Sequence, residues 1–464
     1  MQCRFVYKEN NNRRLIVVFA GWAMDSAPFA HLHRPGYDIL IVWDYRDYSL
    51  NWSCAAGYDE ICVVAWSLGV YAAAVASAPI AARTTLRLAV NGTVTPVDNQ
   101  RGIPEVIFRG TLDGLDERNL TKFYRRVAGS RAAFDRFAAD MPRRSVDELR
   151  QELAAFLPDD FFAQTPDMRF DRALICRDDA IFPAANQWRA WEGTPRTMLD
   201  GAHLPDFQVI IDRFVLDKDL TGSRFASGAS SYEGNAAVQD GLVERMRRVM
   251  ERHGVPAHMC RRGSRTIEIG SGTGKLTRVL DGFAGRFGTL EMWDIAADAP
   301  VSGAGRPFRK TDAELQLLRT PSESADFIAS ASTVQWFNSP SRFLVECARV
   351  LTSGGLLLVG TYAAGNLGEV ESATGRGLPL LEPDEWLALA PGVFECIEAQ
   401  TYTVDMEFDA PADVFRHLKA TGVNSLGRGV GAAAMRHALA SLPCSLDGKY
   451  RITYRPTLFL LRKK

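Results

Sequence analysis

Two junctions, each passing from an apolar run through a turn into a helical stretch, govern what this 464-residue chain can fold into. At the first, Ile61-Cys62-Val63-Val64-Ala65 leads through Trp66-Ser67-Leu68-Gly69 into an alanine-rich stretch that ends before Pro79. Small residues around the serine permit a tight turn that lifts its hydroxyl from the end of a buried strand, where it can attack a carbonyl. At the second, Glu268-Ile269-Gly270-Ser271-Gly272-Thr273-Gly274 offers backbone amides that can close around a polar cofactor. A strand feeding a helix through such a turn belongs to a parallel α/β sheet. One such sheet is expected in each half of the chain.

Length supports two cores rather than one, because single hydrophobic cores stop growing well below this size. Hydrophobic residues make up 47% and charged residues 23%, and the net charge is -1. That balance excludes bulk attraction to nucleic acid or to an anionic membrane. The eight cysteines are scattered without a Cys-x-x-Cys pair, so no metal site is expected and a reducing, cytoplasmic setting fits. The polar N-terminus does not read as a signal peptide, and no apolar run reaches membrane-spanning length.

Leu15–Phe19, Ile39–Trp43 and Ile61–Ala65 read as strands buried on both faces, and Val106-Ile107-Phe108 and Ala173–Cys176 as further strands. Charged amphipathic helices between Leu115 and Leu157 interrupt them, as a helical cap would. Leu216 to Ser231 is rich in Asp, Gly, Ser and Ala and reads as the connection between domains, placed at 1–216 and 224–464. In the second domain strands are expected at Thr266–Ile269, Leu290–Trp293, Asp326–Ser330, Leu356–Thr361 and Cys396–Val404. The run from Tyr450 to Leu461 is expected to close the chain as an antiparallel hairpin.

Acyl hydrolysis needs an activated hydroxyl, a base and an orienting carboxylate. Ser67 supplies the first, with Ala65 standing where a glycine is usual. Downstream, Asp178-Asp179 lies in a turn after the 173–176 strand, and His203 lies in the loop Gly201-Ala202-His203-Leu204-Pro205. The order Ser67, Asp179, His203 is that of the α/β-hydrolase fold. The developing oxyanion needs two N–H donors, expected from Leu68 and from Trp22 after Gly21. Trp22 can equally be a core aromatic. Between residues 118 and 144 stand eight cations, among them Arg125, Arg126 and Arg144, against Asp135 and Asp140. Such a run is either a solvated face or a docking surface for an acidic partner.

In the second half, Lys275 stands where the dinucleotide fingerprint wants glycine or alanine. Gly-x-Gly-x-Gly after a leading acid instead resembles the first motif of class I S-adenosylmethionine-dependent methyltransferases. The resemblance gives Glu268 to the cofactor's amino group, Gly270, Gly272 and Gly274 to its close approach, and Asp294 to the ribose hydroxyls. Asp312 is then expected at the adenine amine, with Ala313 beside it.

The stretch Arg224-Phe225 to Ser230-Ser231-Tyr232-Glu233, with Ala237-Val238-Gln239, resembles the start of the malonyl-[acyl-carrier protein] O-methyltransferases of biotin synthesis. Val334-Gln335-Trp336-Phe337, Ala348-Arg349-Val350-Leu351, Thr361 to Glu369 and His417 to Asn424 resemble them too, with Tyr232-Glu233 where Tyr-Asp is usual. Tyr232 then orders a lid, touches cofactor, or is a packed aromatic. Residues 1 to about 216 resemble the compact pimeloyl-[acyl-carrier protein] methyl ester esterases of the same pathway. Phe19-Ala20-Gly21-Trp22, the Ser67 turn, Asp179 to Pro183 and Gly201-Ala202-His203 carry that likeness. Related hydrolases hold their acid in Asp-x-x-x-Pro, which Asp179 and Pro183 match.

The resemblance implies that one half methylates the malonyl carboxylate, and the other removes the methyl after elongation. The implied partner is an acyl carrier protein docking at Arg125 and Arg126. The other readings are an esterase–methyltransferase of different small-molecule metabolism, and a degenerate hydrolase serving as a carrier-binding module.

Overall fold

The computed structural model describes the chain except residues 10, 158–167, 233, 260, 285–287, 297–304, 391, 422–436, 439–440 and 446, and except the side chains of 228–232, 258 and 284. Residues Met1–Val215 and Leu216–Lys464 form two compact units.

In the first unit, seven strands run in chain order: β1 (Gln2–Tyr7), β2 (Arg14–Phe19), β3 (Asp38–Trp43), β4 (Glu60–Trp66), β5 (Thr84–Val90), β6 (Arg172–Cys176) and β7 (Arg196–Leu199). They form one sheet in the order β1-β3-β2-β4-β5-β6-β7. Only β1 is antiparallel to its neighbour. Strands β2, β3 and β4 are apolar without alternation because both faces of the sheet are covered. Their carboxyl ends emerge at one edge, where ligands of open α/β sheets bind.

One expectation fails here, and one strand was passed over. Val106-Ile107-Phe108 is not a strand but part of the helix Glu105–Asp113, which Pro104 caps. Phe108 is buried while Val106 and Ile107 are 77% and 50% exposed, so helical spacing suits the segment and a two-sided strand does not. The strand next to β4 is instead β5, whose Thr84, Thr85 and Arg87 hide it from an apolar-run reading. Its polar side chains have partners in place: Thr84 Oγ1 donates to the Ile80 carbonyl at 2.9 Å and Thr85 Oγ1 to Glu60 Oε1 at 2.8 Å, while the Arg87 main-chain N–H donates to Asp171 Oδ2 at 2.7 Å, joining β5 to the start of β6.

The helices Glu117–Ala128, Arg131–Ala139 and Val146–Ala154 fall inside the expected excursion, each N-capped by a side chain: Asp116, Ser130 and Ser145. The side chain of Arg144, counted with the docking cations, is only 6% exposed. It pairs with Asp44 at 3.2 Å and with Glu152 at 2.5 Å, fixing the excursion to the loop after β3.

In the second unit the strands are β8 (Arg265–Ile269), β9 (Thr289–Asp294), β10 (Phe308–Lys310), β11 (Ala325–Ala331), β12 (Leu351–Tyr362), β13 (Phe394–Thr401), β14 (Val404–Phe408), β15 (Tyr450–Tyr454) and β16 (Pro456–Lys463). The main sheet runs β10-β9-β8-β11-β12-β16-β13. It is parallel from β10 to β12, with β16 antiparallel to both β12 and β13. The order reverses between β8 and β11, the switch point where such sheets bind ligands.

The expected terminal hairpin does not form. Only Arg455 separates β15 from Pro456, and the chain passes from a separate β14–β15 ladder into the main sheet as β16. Likewise Val404 belongs to β14 rather than continuing β13. The supposed connecting stretch is a helix, Lys218–Tyr232, despite its glycines and serines. No helix among the described residues is long and apolar enough to cross a membrane.

Candidate functional site

Strand β4 ends at Trp66, and the helix Gly69–Ala76 begins three residues later. Ser67 between them has φ +59°, a left-handed conformation costly for a serine and tolerated where the surroundings over-determine it. Those surroundings are two glycines. A Cβ at Gly69 would sit 2.5 Å from the Ala20 carbonyl oxygen, and one at Gly92 2.2 Å from that of Ser67. Only bare backbone fits around the turn.

Three loops, distant in sequence, meet here. His203 Nε2 lies 2.9 Å from Ser67 Oγ, and its Nδ1 lies 2.9 Å and 3.0 Å from the two Asp179 oxygens. An ionised carboxylate can only accept, so Nδ1 carries the proton and Nε2 is left to receive one from Ser67. Asp179 is itself held: Oδ1 accepts the N–H groups of Ile181 (2.8 Å) and Phe182 (2.9 Å), and Oδ2 accepts from Gln187 Nε2 (3.0 Å). Asp178 is exposed. The geometry therefore brings Asp179, not its neighbour, to the histidine.

Asn91 is a residue that sequence reading missed. Its Oδ1 accepts the Cys176 N–H at 2.7 Å, while Nδ2 donates to the His203 carbonyl at 2.9 Å. One side chain thus ties the strand before the acid to the loop bearing the histidine. Its position directly after β5 was hidden with that strand. Trp66 Nε1 adds a second donor to the same carbonyl at 2.8 Å.

Leu68 and Trp22 line a pocket with Ser67, and Ile103, Ile107, Phe108, Phe123 and Leu153 make most of its wall apolar. The Trp22 indole N–H is committed to the Leu149 carbonyl at 2.9 Å, and its ring packs edge-on to Phe123. Only the main-chain N–H of Trp22 is left to face a ligand. Among the described residues, neither that group nor the Leu68 N–H donates to a protein acceptor. Arg126 is exposed at this pocket, whereas Arg125 stacks over Phe134 at 5.3 Å.

In the second unit, β8 runs into the glycine turn and then the helix Lys275–Ala284. Gly270, Gly272 and Gly274 have φ of +77°, +49° and +86°. A Cβ at Gly270 would fall 1.9 Å from Thr333 Oγ1, so the turn lies flat against the end of β11. The Gly272 N–H donates to Asp294 Oδ2 at 2.8 Å, joining the turn to the end of β9.

The turn forms one side of a pocket of about 1250 Å³, its open mouth included, which Glu268, Asp294, Asp312 and Ala313 also line. Four buried polar atoms in this region accept or donate no hydrogen bond: Glu268 Oε1, Ser271 Oγ, Thr273 Oγ1 and Asp312 Oδ2. Buried groups left so are costly unless a ligand completes them. Glu268 Oε2 accepts from Thr277 Oγ1 at 2.7 Å, and burial with the nearby Asp294 charge pushes the Glu268 pKa up to about 8. A cationic donor is what such a carboxylate lacks.

The structure thus gathers Glu268, Gly270, Gly272, Asp294, Asp312 and Ala313 around one cavity, whereas Gly274, at the end of the same turn, does not line it. Of Tyr232 only its place at the end of the Lys218–Tyr232 helix is described, and Glu233 and residues 422–424 lie outside the described residues. Sequence reading missed Lys218, Gln239 and Thr333, all of which line the pocket. Gln239 stands in a stretch that carries the family resemblance but was given no role there, and neither Lys218 nor Thr333 stands in a motif that marks it.

Comparison with known proteins agrees with this division. The model described as pimeloyl-ACP methyl esterase BioG matches residues 1–208, and that of a methyltransferase domain matches residues 267–359. A malonyl-[acyl-carrier protein] O-methyltransferase of Bacteroides fragilis is 31% identical, covering 97% of this chain and 93% of its own. One from Acinetobacter baylyi is 28% identical over 53% of this chain and 98% of its own length. The crystal structure of BioG from Haemophilus influenzae is 36% identical, with a TM-score of 0.39, over 44% of this chain and 94% of that one. The chain belongs to the malonyl-[acyl-carrier protein] O-methyltransferase family, in a form whose methyltransferase domain follows a BioG domain.

Proposed function

We propose that this is a bifunctional enzyme of biotin synthesis. Residues 224–464 use S-adenosylmethionine to methylate the free carboxylate of malonyl-[acyl-carrier protein]. Residues 1–216, an α/β-hydrolase with a small helical cap, hydrolyse pimeloyl-[acyl-carrier protein] methyl ester. The observation that carries this is the presence in one chain of a complete Ser67–His203–Asp179 relay and of a glycine-walled cavity with an unsatisfied buried acid.

In hydrolysis, Ser67 Oγ attacks the ester carbonyl while His203 Nε2 takes its proton and Asp179 steadies the imidazolium. The N–H groups of Leu68 and Trp22 receive the oxyanion. His203 then protonates the departing methanol, and water activated by the same nitrogen releases the pimeloyl carboxylate. The apolar wall suits a methylene chain. The exposed Arg126 at the pocket, with Arg125 on the same helix, supports entry of a carrier-bound substrate there.

For methyl transfer, Glu268 would receive the cofactor's ammonium, Asp294 its ribose, and Asp312 with Ala313 its adenine. The glycines would let the backbone approach. When bound, the cofactor supplies an electrophilic methyl group on a sulfonium. The acceptor carboxylate is ionised at neutral pH, so the chain's task is to orient it and exclude water rather than to remove a proton. Methylation hides a charge that apolar elongation pockets would refuse, and hydrolysis restores it once the chain is long enough.

Mass spectrometry of carrier proteins tests the assignment. A methyl should be gained on malonyl-loaded carrier with S-adenosylmethionine, and one lost from the pimeloyl methyl ester. Absence of both changes in folded protein would defeat it.

Glu268 gives a pH signature. Its folded pKa of about 8 exceeds the ordinary 4.5, so in the ligand-free protein its contribution to stability is full below 4.5 and is lost as pH rises through about 8. A bound ammonium favours the ionised form, so cofactor affinity should tighten as pH rises toward 8, with release of a proton. Calorimetry in buffers of different ionisation enthalpy measures that proton. Glu268→Gln should abolish the release.

Reversing Arg125 and Arg126 to Glu should lower kcat/KM on carrier-bound ester by about tenfold and that on a small free ester by less than about twofold. Equal losses on both substrates would return these cations to the role of a solvated face.

A further inference from the structure

The connecting helix carries a buried cation in the cofactor pocket. Lys218, in its first turn, is 3% exposed and lines the pocket beside Asp312 and Phe337. Its Nζ donates to Glu314 Oε2 and lies 5.2 Å from the centre of the Phe337 ring. Glu314 is in turn immobilised, because Oε2 also accepts the Asn338 N–H and Oε1 accepts the Ser339 N–H, both at 2.9 Å. The ammonium is therefore fixed in place by a carboxylate that is itself pinned to the start of the helix Pro340–Val350.

Asp312 is the other acid within reach. Its Oδ1 caps the helix Ala313–Arg319 by accepting the Glu314 N–H at 2.9 Å. Its Oδ2 is buried and accepts no hydrogen bond, with Lys218 Nζ 3.5 Å away. That separation is an ion-pair distance, close enough to hold the oxygen by charge but not to occupy its lone pair. The result is an oriented acceptor at the pocket wall. A ligand amine satisfies it, whereas a ligand carbonyl would face it lone pair to lone pair.

We propose that Lys218 is a positioning residue that holds Asp312 Oδ2 toward the exocyclic amine of the cofactor's adenine, and so sets the preference for an amino over a keto purine. This rests on the S-adenosylmethionine reading of the pocket. Lys218 does not touch the reacting atoms. Without it, the helix-capping bond alone orients the Asp312 carboxylate.

Calorimetry on the full-length protein with S-adenosylhomocysteine and S-inosylhomocysteine tests this. The wild type should bind the adenosyl ligand more tightly. In Lys218→Met, adenosyl affinity should fall by about tenfold, the scale of one charge-assisted hydrogen bond, and inosyl affinity by less than about threefold. Lys218→Arg should recover part of the preference. Asp312→Asn should lose it equally, and the double variant should lose no more than either single one. Equal losses for both ligands in folded Lys218→Met would reduce Lys218 to a staple between helices and overturn the proposal. If Lys218→Met does not fold, retained wild-type selectivity in Asp312→Asn overturns it as well. Failure of the wild type to bind either ligand would instead remove the cofactor reading.

Discussion

Ser67→Ala is expected to lower ester hydrolysis by at least about ten-thousandfold while leaving methyl transfer at its wild-type rate. The size of the loss follows from the relay: without Oγ, the base at His203 Nε2 has no nucleophile to activate, although Asp179 still orients the ring. The independence follows from two separate compact units. Alanine also keeps the φ of +59° no worse than serine does, so the turn should persist. A p-nitrophenyl ester assay reads the first activity and transfer of labelled methyl to malonyl-loaded carrier reads the second. Residual hydrolysis at the wild-type rate would make the first unit a binding module. Loss of both activities in folded protein would contradict separate sites.

Gly272→Asp is expected to weaken S-adenosylmethionine binding by about a hundredfold or more with hydrolysis unchanged. Gly272 suits the test because a Cβ there meets no atom within 4 Å, so the new side chain opens into the cavity rather than into protein. Its carboxylate would stand next to Asp294, which accepts the Gly272 N–H, adding like charge at the proposed ribose site. The φ of +49° adds strain that Asp tolerates better than most residues. Gly270→Ala is less informative, since its Cβ would collide with Thr333 and could disturb the fold itself. Calorimetry showing undiminished affinity would remove the glycine turn from the cofactor site.

Each junction was legible because a local constraint wrote it. A buried strand must be apolar along its length, a tight turn must be small, and a backbone that approaches a ligand must lack a Cβ. Those rules located β2, β3, β4, β6, β8, β9, β11 and β12 and both turns. The same rules misread Val106-Ile107-Phe108, because three β-prone residues carry no information about which neighbours will cover them. They passed over β5, whose Arg87 is buried and whose Thr85 hydroxyl donates to Glu60 on β4. Charge runs misled in the same way: Arg144 looks like its exposed neighbours until Asp44 and Glu152 close on it.

The sequence by itself determined the chemistry available: a serine on an elbow, an acid and a histidine in the right order, and glycines after an acid-bearing strand. It did so because bond geometry and side-chain reactivity are properties of a few adjacent residues. Only the tertiary structure decided which groups share a hydrogen bond. It chose Asp179 over Asp178, enlisted Asn91 to hold two loops, committed the Trp22 indole to Leu149, and brought Lys218 from a supposed linker to Asp312. Such partners lie far apart in the chain, and only burial makes their pairing obligatory.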